Sequence, residues 1–322
     1  AADGHPPEGL RAARMTVSWR RAAPPYTWEM PGPYQYATPT ALEYFSSLVA
    51  EDASLSLLEA AASIAQDEHP RLDVQAVLAE VDELAVKLKR RIPADVVPLQ
   101  RLRWLNRYFF HELGFGGNVN NYYDASNSYL DDVLRTRRGI PISLAVIYLE
   151  VATQLGLRAQ GISFPGHFLV KLSLLSGSHN GEVIIDPFTG KSLSREELDE
   201  MLTPYKRSQG LVGEFDAPLG LFLQAAAPRE ILARMLRNLK EIHSTAEDWP
   251  RLLHVLNRLV VLLPHAHEER RDRALVWAEL GQADRAAEDF EAYLHHRPDA
   301  DDSTAMAERL ERMRRGEQPR LH

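Results

Sequence analysis

The sequence predicts an α+β protein that is mostly helical: a set of helices, then one buried helix with a small antiparallel sheet, then a helical tail. Three observations point there. Residues 141–155 are apolar on nearly every side (Ile142, Leu144, Ala145, Val146, Ile147, Leu149, Val151, Ala152, Leu155), the mark of a helix enclosed by other elements. Three strand-like runs follow, Arg158–Phe164, His167–Leu174 and Glu182–Asp186, separated by Pro165-Gly166 and by a turn rich in Ser and Gly at 176–181. Finally, Pro264 and Pro298 lie 34 residues apart in a segment with helical periodicity.

Taken in order, the chain opens with a proline-rich arm, 1–38, in which Pro6-Pro7, Pro24-Pro25, Pro31 and Pro33 favour an extended backbone. The second segment expected is 39–227. Its first helices are marked by the stripes Ala41, Leu42, Tyr44, Phe45, Leu48 and Leu55, Leu57, Leu58, Ala61, Ile64. A longer helix at about 72–91 carries Val74, Val77, Leu78, Val81, Leu84 and Leu88, with cations in its last turn. Another runs from Pro98 past Leu113. Residues 114–127, rich in Gly and Asn, read as a long loop, and loops of that length in a compact domain are often functional. Asn127 is an N-cap for a short helix that Arg137-Arg138-Gly139 ends, and Pro141 opens the buried helix. Ser194 with Glu197 forms a capping box.

The third segment, 228–316, is helical throughout. Trp277, Gly281, Ala286, Phe290 and Pro298 fit one tetratricopeptide repeat, and Leu252, Leu256, Leu259 and Pro264 fit a degenerate one, with Glu247 where Gly is expected. So few repeats bury no core alone, so they stack on the domain before them.

Composition narrows the function. Lys plus Arg number 37 and Asp plus Glu 45, a formal charge of −8, which opposes a general nucleic-acid or anionic-membrane surface. There is no cysteine, which excludes disulfides, thiolate metal sites and a cysteine nucleophile. No cofactor is expected. The histidines His265, His267, His295 and His296 are grouped in sequence but fall on a repeat end and on different helix faces, so no metal is expected either. No run approaches the roughly 18 apolar residues of a membrane helix, and the arm lacks a secretory core; the expected location is the cytoplasm.

A buried helix followed by an antiparallel sheet, with His167 opening one strand and Asp186 ending the next, is the layout of a papain-type or transglutaminase-type site. There a nucleophile sits at the helix N-terminus, a histidine takes its proton, and an acid fixes the imidazole tautomer. Antiparallel neighbours place His167 and Asp186 within reach of a hydrogen bond. Asn127, Arg138 and Tyr123 would line the cleft. In the plainer alternative His167 is a packed histidine, Asp186 a turn former, and Arg138 part of a solvated helix end.

The segments NSYLDDVLRTRRGIPISLAVIYLEVATQLGLRAQGISFPGHFLV and IIDPFTG resemble the transglutaminase-like core of bacterial SirB-type proteins, in which tetratricopeptide-like helices follow. The resemblance covers roughly 40–300. It implies a Cys-His-Asp triad, with His167 and Asp186 at the His and Asp positions; the nucleophile position, two residues after Gly139, falls on Pro141. Proline offers no nucleophile and suits a first helical turn. Ser143 is the nearest hydroxyl, but two residues along a helix turn it about 200° away. The expectation is therefore a non-catalytic interaction or regulatory module, with a protein or peptide partner at the cleft or the repeat-like helices. The alternative is an acyl-transfer or hydrolase enzyme using Ser143 with His167 and Asp186.

Overall fold

The computed structural model describes residues 38–176, 179–211, 213 and 216–316. The proline-rich arm expected at 1–38 lies outside them, Thr38 excepted. The described residues from Pro39 on form one compact unit.

Helix α1 (Ala41–Leu48) begins at a capping box between Thr40 and Glu43, and α2 (Leu57–Ser63) runs on into a tighter turn at Ile64–Asp67. Helix α3 (Val74–Lys89) is capped by Asp73, whose carboxylate accepts from the Gln75 amide, and buries Val74, Val77, Val81, Leu84 and Leu88. The helix expected from Pro98 is α4 (Pro98–Asn106), which widens into a π-helical turn at Arg107–Glu112 and buries Tyr108 and Phe109.

The segment read as a loop at 114–127 contains a two-residue strand, β1 (Gly116–Gly117), paired in parallel with β2 (Arg138–Gly139). Between them lies α5 (Leu130–Thr136). Two expectations need correction. Asn127 does not cap α5: Tyr129 occupies the cap position, with no side-chain bond. The left-handed residue ending α5 is Arg137 (φ 59), not Gly139, because the amide of Arg137 closes the last turn on the Val133 carbonyl.

Helix α6 (Pro141–Gln154) is enclosed as its all-round apolarity requires, by α2, α3, α5 and the sheet. Leu144, Ala145, Ile147 and Tyr148 are fully buried. Each large side chain so covered stabilises by about 1.5–3 kcal/mol relative to exposure.

The sheet is an antiparallel meander of β3 (Arg158–Ile162), β4 (Leu169–Ser176), β5 (His179–Ile185) and β6 (Ser192–Leu193). Its register pairs Ile162 with Leu169 and Val170 with Ile185. Alternation then separates two cores: Val170, Leu172 and Ile185 join the main one with α6, while Ile162, Leu169 and Ile184 face α7 (Arg195–Ser208) through Leu198 and Leu202. Ser194 and Glu197 make the expected capping box.

The tail is α8 (Pro228–Thr245), α9 (Trp249–Leu262), α10 (His267–Glu279), α11 (Ala283–His296) and α12 (Ser303–Arg314). Glu247 (φ 51) and Gly281 (φ 71) occupy the same left-handed corner in successive helix pairs. Across the boundary expected at 228, α8 and α9 add Ile231, Leu236, Leu256 and Leu259 to the main core. Three arginines fasten them to the first helices. Arg229 donates to Asp52 Oδ1 and to the Val49 and Leu262 carbonyls, all at 2.6 Å. Arg251 grips Glu68 at 2.6 and 2.8 Å, and Arg258, 1% exposed, grips Asp67 at 2.6 and 3.0 Å beneath the Phe45 ring.

Candidate functional site

The N-terminus of α6 starts at Ile140, with half-buried Pro141 in the first helical position. Ser143 is fully buried and its hydroxyl faces the carbonyls of Asn127 (2.6 Å) and Ile140 (3.0 Å). No hydrogen bond among the described residues joins it to His167. A hydroxyl so placed acts as a local backbone tie.

Asn127 is the hub of this end of the helix. Its amide nitrogen donates to the Asn121 and Tyr122 carbonyls at 2.6 and 3.2 Å, and its side-chain oxygen accepts from Asn118 at 2.9 Å. Its own carbonyl receives the Ile140 amide at 3.3 Å and the Ser143 hydroxyl. Asn127 is 2% exposed, so its place is inside the wall beneath the loop. Arg138, exposed, donates from Nη1 to the carbonyls of Gly114 and Arg137 and so holds the start of the same loop. Tyr123 is 76% exposed, its ring 5.3 Å from that of Tyr122.

His167 and Asp186 lie just outside the strand pair, His167 two residues before β4 and Asp186 immediately after β5. His167 is exposed; its amide donates to the Phe164 carbonyl at 3.0 Å and its ring centroid lies 6.5 Å from that of Phe164. Asp186 turns inward on its own loop. Its carboxylate accepts from the Phe188 amide at 2.9 Å and the Thr189 hydroxyl at 2.7 Å, and its carbonyl accepts the Gly190 amide at 2.8 Å. The expected His167–Asp186 hydrogen bond is not formed, because the carboxylate is engaged in this turn. Gly190 is needed there on two counts: its φ is 73, and a Cβ would meet the Phe110 ring at 2.7 Å.

These turns meet the loop. The Gly117 amide donates to the Phe188 carbonyl at 2.9 Å, and the Tyr122 and Phe188 rings are 6.0 Å apart. From α8, Arg234 reaches the Ser163–His167 turn, donating to Ser163 Oγ at 2.8 Å and the Phe164 carbonyl at 3.3 Å. Burial raises the Tyr122 phenol above its ordinary value and lowers the Arg234 guanidinium, and each acts electrostatically on the other. Sequence reading missed Arg234, since an arginine on an amphipathic helix looks like any solvated one; only the fold brings it to this surface.

Elsewhere, His69, Asp131 and Asp132 bring three ligand atoms within 4.8 Å of one another. His69 Nδ1 is bonded to Asp131 at 2.6 Å, and Asp132 is paired with Arg135, so these groups already serve one another. The His267 and His296 rings stack face to face at 4.2 Å, and His296 directs Nδ1 to the Ala292 carbonyl.

The family model of the transglutaminase-like superfamily matches residues 75–237, and a tetratricopeptide-repeat model matches 239–311. A UPF0162 protein of Xylella fastidiosa (strain Temecula1) is 38% identical over 251 residues, covering 77% of this chain and 86% of the relative. UPF0162 proteins of Vibrio cholerae and Pseudomonas aeruginosa are 28% and 29% identical, covering 80% and 79% of this chain and 89% and 90% of their own lengths. No solved structure matches the chain. The fold is thus a transglutaminase-like domain carrying tetratricopeptide helices. The chain belongs to the UPF0162 family within that superfamily.

Proposed function

We propose that this protein is a non-catalytic transglutaminase-like module, acting in the cytoplasm as an interaction or regulatory protein that binds a protein or peptide partner. The observation that carries the reading is the N-terminus of α6. The position expected to hold the attacking group is Pro141, and the nearest hydroxyl, Ser143, is fully buried against two backbone carbonyls. Proline has neither a nucleophilic atom nor a backbone donor. Two further features support partner binding. Tyr122 and Tyr123, with rings 5.3 Å apart, are exposed on a loop anchored by Asn127, and tyrosines are among the side chains that dominate interfaces. Tetratricopeptide helices, which stack into extended binding surfaces, follow directly.

In the competing reading, Ser143 acts with His167 and Asp186 as an acyl-transfer or hydrolase triad. That chemistry needs Ser143 to rotate out of its tie and Asp186 to leave its turn. The two readings separate in one experiment. A fluorophosphonate probe is applied to wild type and to Ser143→Ala, and partner capture is compared between wild type and Tyr123→Ala. The module reading expects no Ser143-dependent labelling and a loss of capture in Tyr123→Ala; labelling that vanishes with Ser143 overturns it. A point substitution is the right comparison because truncation at 228 would cut the main core.

A further inference from the structure

Arg229, Arg237, Arg251 and Arg258, the neighbouring arginines of α8 and α9, each meet a carboxylate. Arg234 does not. Its Nη1 is bonded to two neutral acceptors, Ser163 Oγ and the Phe164 carbonyl, and its guanidinium lies over the Phe168 ring, Cζ 5.6 Å from the centroid. The Phe164 carbonyl also accepts the His167 amide at 3.0 Å, so guanidinium and histidine turn share one acceptor. The remaining donors of Arg234, Nε and Nη2, make no bond among the described residues. A half-buried guanidinium fixed through Nη1, with Nε and Nη2 open and no acid bonded to it, suits an anion: charge-assisted bonds from arginine to a carboxylate are strong and bidentate, and pre-ordering the fork reduces the entropy lost on binding.

The surroundings select the anion. The Tyr122 ring is 6.0 Å from Phe188 and 5.3 Å from Tyr123, so aromatic faces border this surface. The arginine fork fits carboxylate and phosphate alike, but one guanidinium balances the single charge of a carboxylate and not the nearly double charge of a phosphate monoester. Peptide segments combine a carboxylate with apolar stems suited to aromatic faces. Resting on the partner-binding reading above, the geometry points to Arg234 as the receptor for a carboxylate of an acidic peptide whose chain lies along Tyr122 and Phe188.

The test uses the full chain at low ionic strength and three fluorescein-labelled peptides, read by fluorescence anisotropy: alternating glycine and glutamate with an amidated C-terminus, the same peptide with glutamine for glutamate, and the glutamine peptide with a free C-terminus. Binding of the first assigns the ligand to acidic side chains; binding of the third alone assigns it to a terminal carboxylate. In either case Arg234→Gln weakens binding by about tenfold or more, Arg234→Lys by less, and Arg237→Gln, which removes the same charge from the same helix, leaves it unchanged. If Arg234→Gln melts below the wild type, titration of the wild-type Arg234 Nε–H resonance, assigned by its loss in Arg234→Lys, decides: it shifts with bound peptide. Equal affinity in wild type and folded Arg234→Gln, no binding of any peptide, or an unmoved Nε–H resonance overturns the assignment. Should Tyr123→Ala still abolish partner capture in that event, only the carboxylate site falls and the module reading stands.

Discussion

Glu247 holds a left-handed backbone (φ 51) at the corner where the next helix pair has Gly281 (φ 71), 34 positions on. A side chain there carries a steric penalty that glycine lacks, and Glu247 is exposed, with no side-chain partner among the described residues to offset it. Glu247→Gly should therefore raise stability by about 0.5–1 kcal/mol, a melting temperature higher by roughly 1–4 °C, while Gly281→Ala should lower it. Ser143 gives the opposite kind of expectation. Removing its buried hydroxyl leaves the Asn127 carbonyl with a single long bond from Ile140, so Ser143→Ala should destabilise by about 1–3 kcal/mol in denaturant titration with no change in partner capture. An unchanged denaturation midpoint would mean the hydroxyl does not hold the helix start.

At the scale of elements, α9 is locked to the turn after α2 by Arg258 and Asp67, with the guanidinium 1% exposed. Removing one partner of such a pair leaves a charge without compensation, so Arg258→Met should cost about 3–5 kcal/mol, whereas Arg314→Met, on an exposed pair with Glu291, should cost under about 1 kcal/mol; chemical denaturation distinguishes them. The elements themselves were largely legible: all-round apolarity marks α6, and proline and serine mark its start and the start of α7, because these are local signals. Short parallel pairing of Gly116–Gly117 with Arg138–Gly139 was not, since two residues carry no periodicity. Nor was the fate of Asp186: sequence shows a carboxylate near a histidine, but whether it faces His167 or bonds Phe188 and Thr189 depends on a turn fixed by Gly190 against Phe110. Arg234 was invisible for a related reason, its neighbours lying about 70 residues away in Ser163 and Phe164.

For the whole molecule, the decisive region is the seam where the repeat helices meet the first helices, and it contains a titrating group. His243 is 5% exposed, its Nε2 has no partner among the described residues, and burial holds its pKa below the ordinary 6.5. Facing it are Asp67 and Glu68 after α2, Tyr129 before α5, and Arg251 and His254 on α9, with Asp248 at the cap of that helix. The unfolded chain binds a proton at about pH 6.5 that the folded chain refuses until lower pH, so this contribution is complete above that pH and is lost as the pH falls below it. His267, stacked on His296, has a lowered pKa for the same first reason, burial, and adds in the same direction. Glu68 and Asp248 are held below their ordinary 4.5 and 3.8 by bonds to Arg251, so their loss belongs to a more acid range. Between about pH 7 and about pH 5 the melting temperature should therefore fall as His243 and His267 take up protons, and His243→Gln should flatten that slope while leaving the loss at lower pH in place. A wild-type slope that survives both His243→Gln and His267→Gln would show that the seam is not what acid loosens.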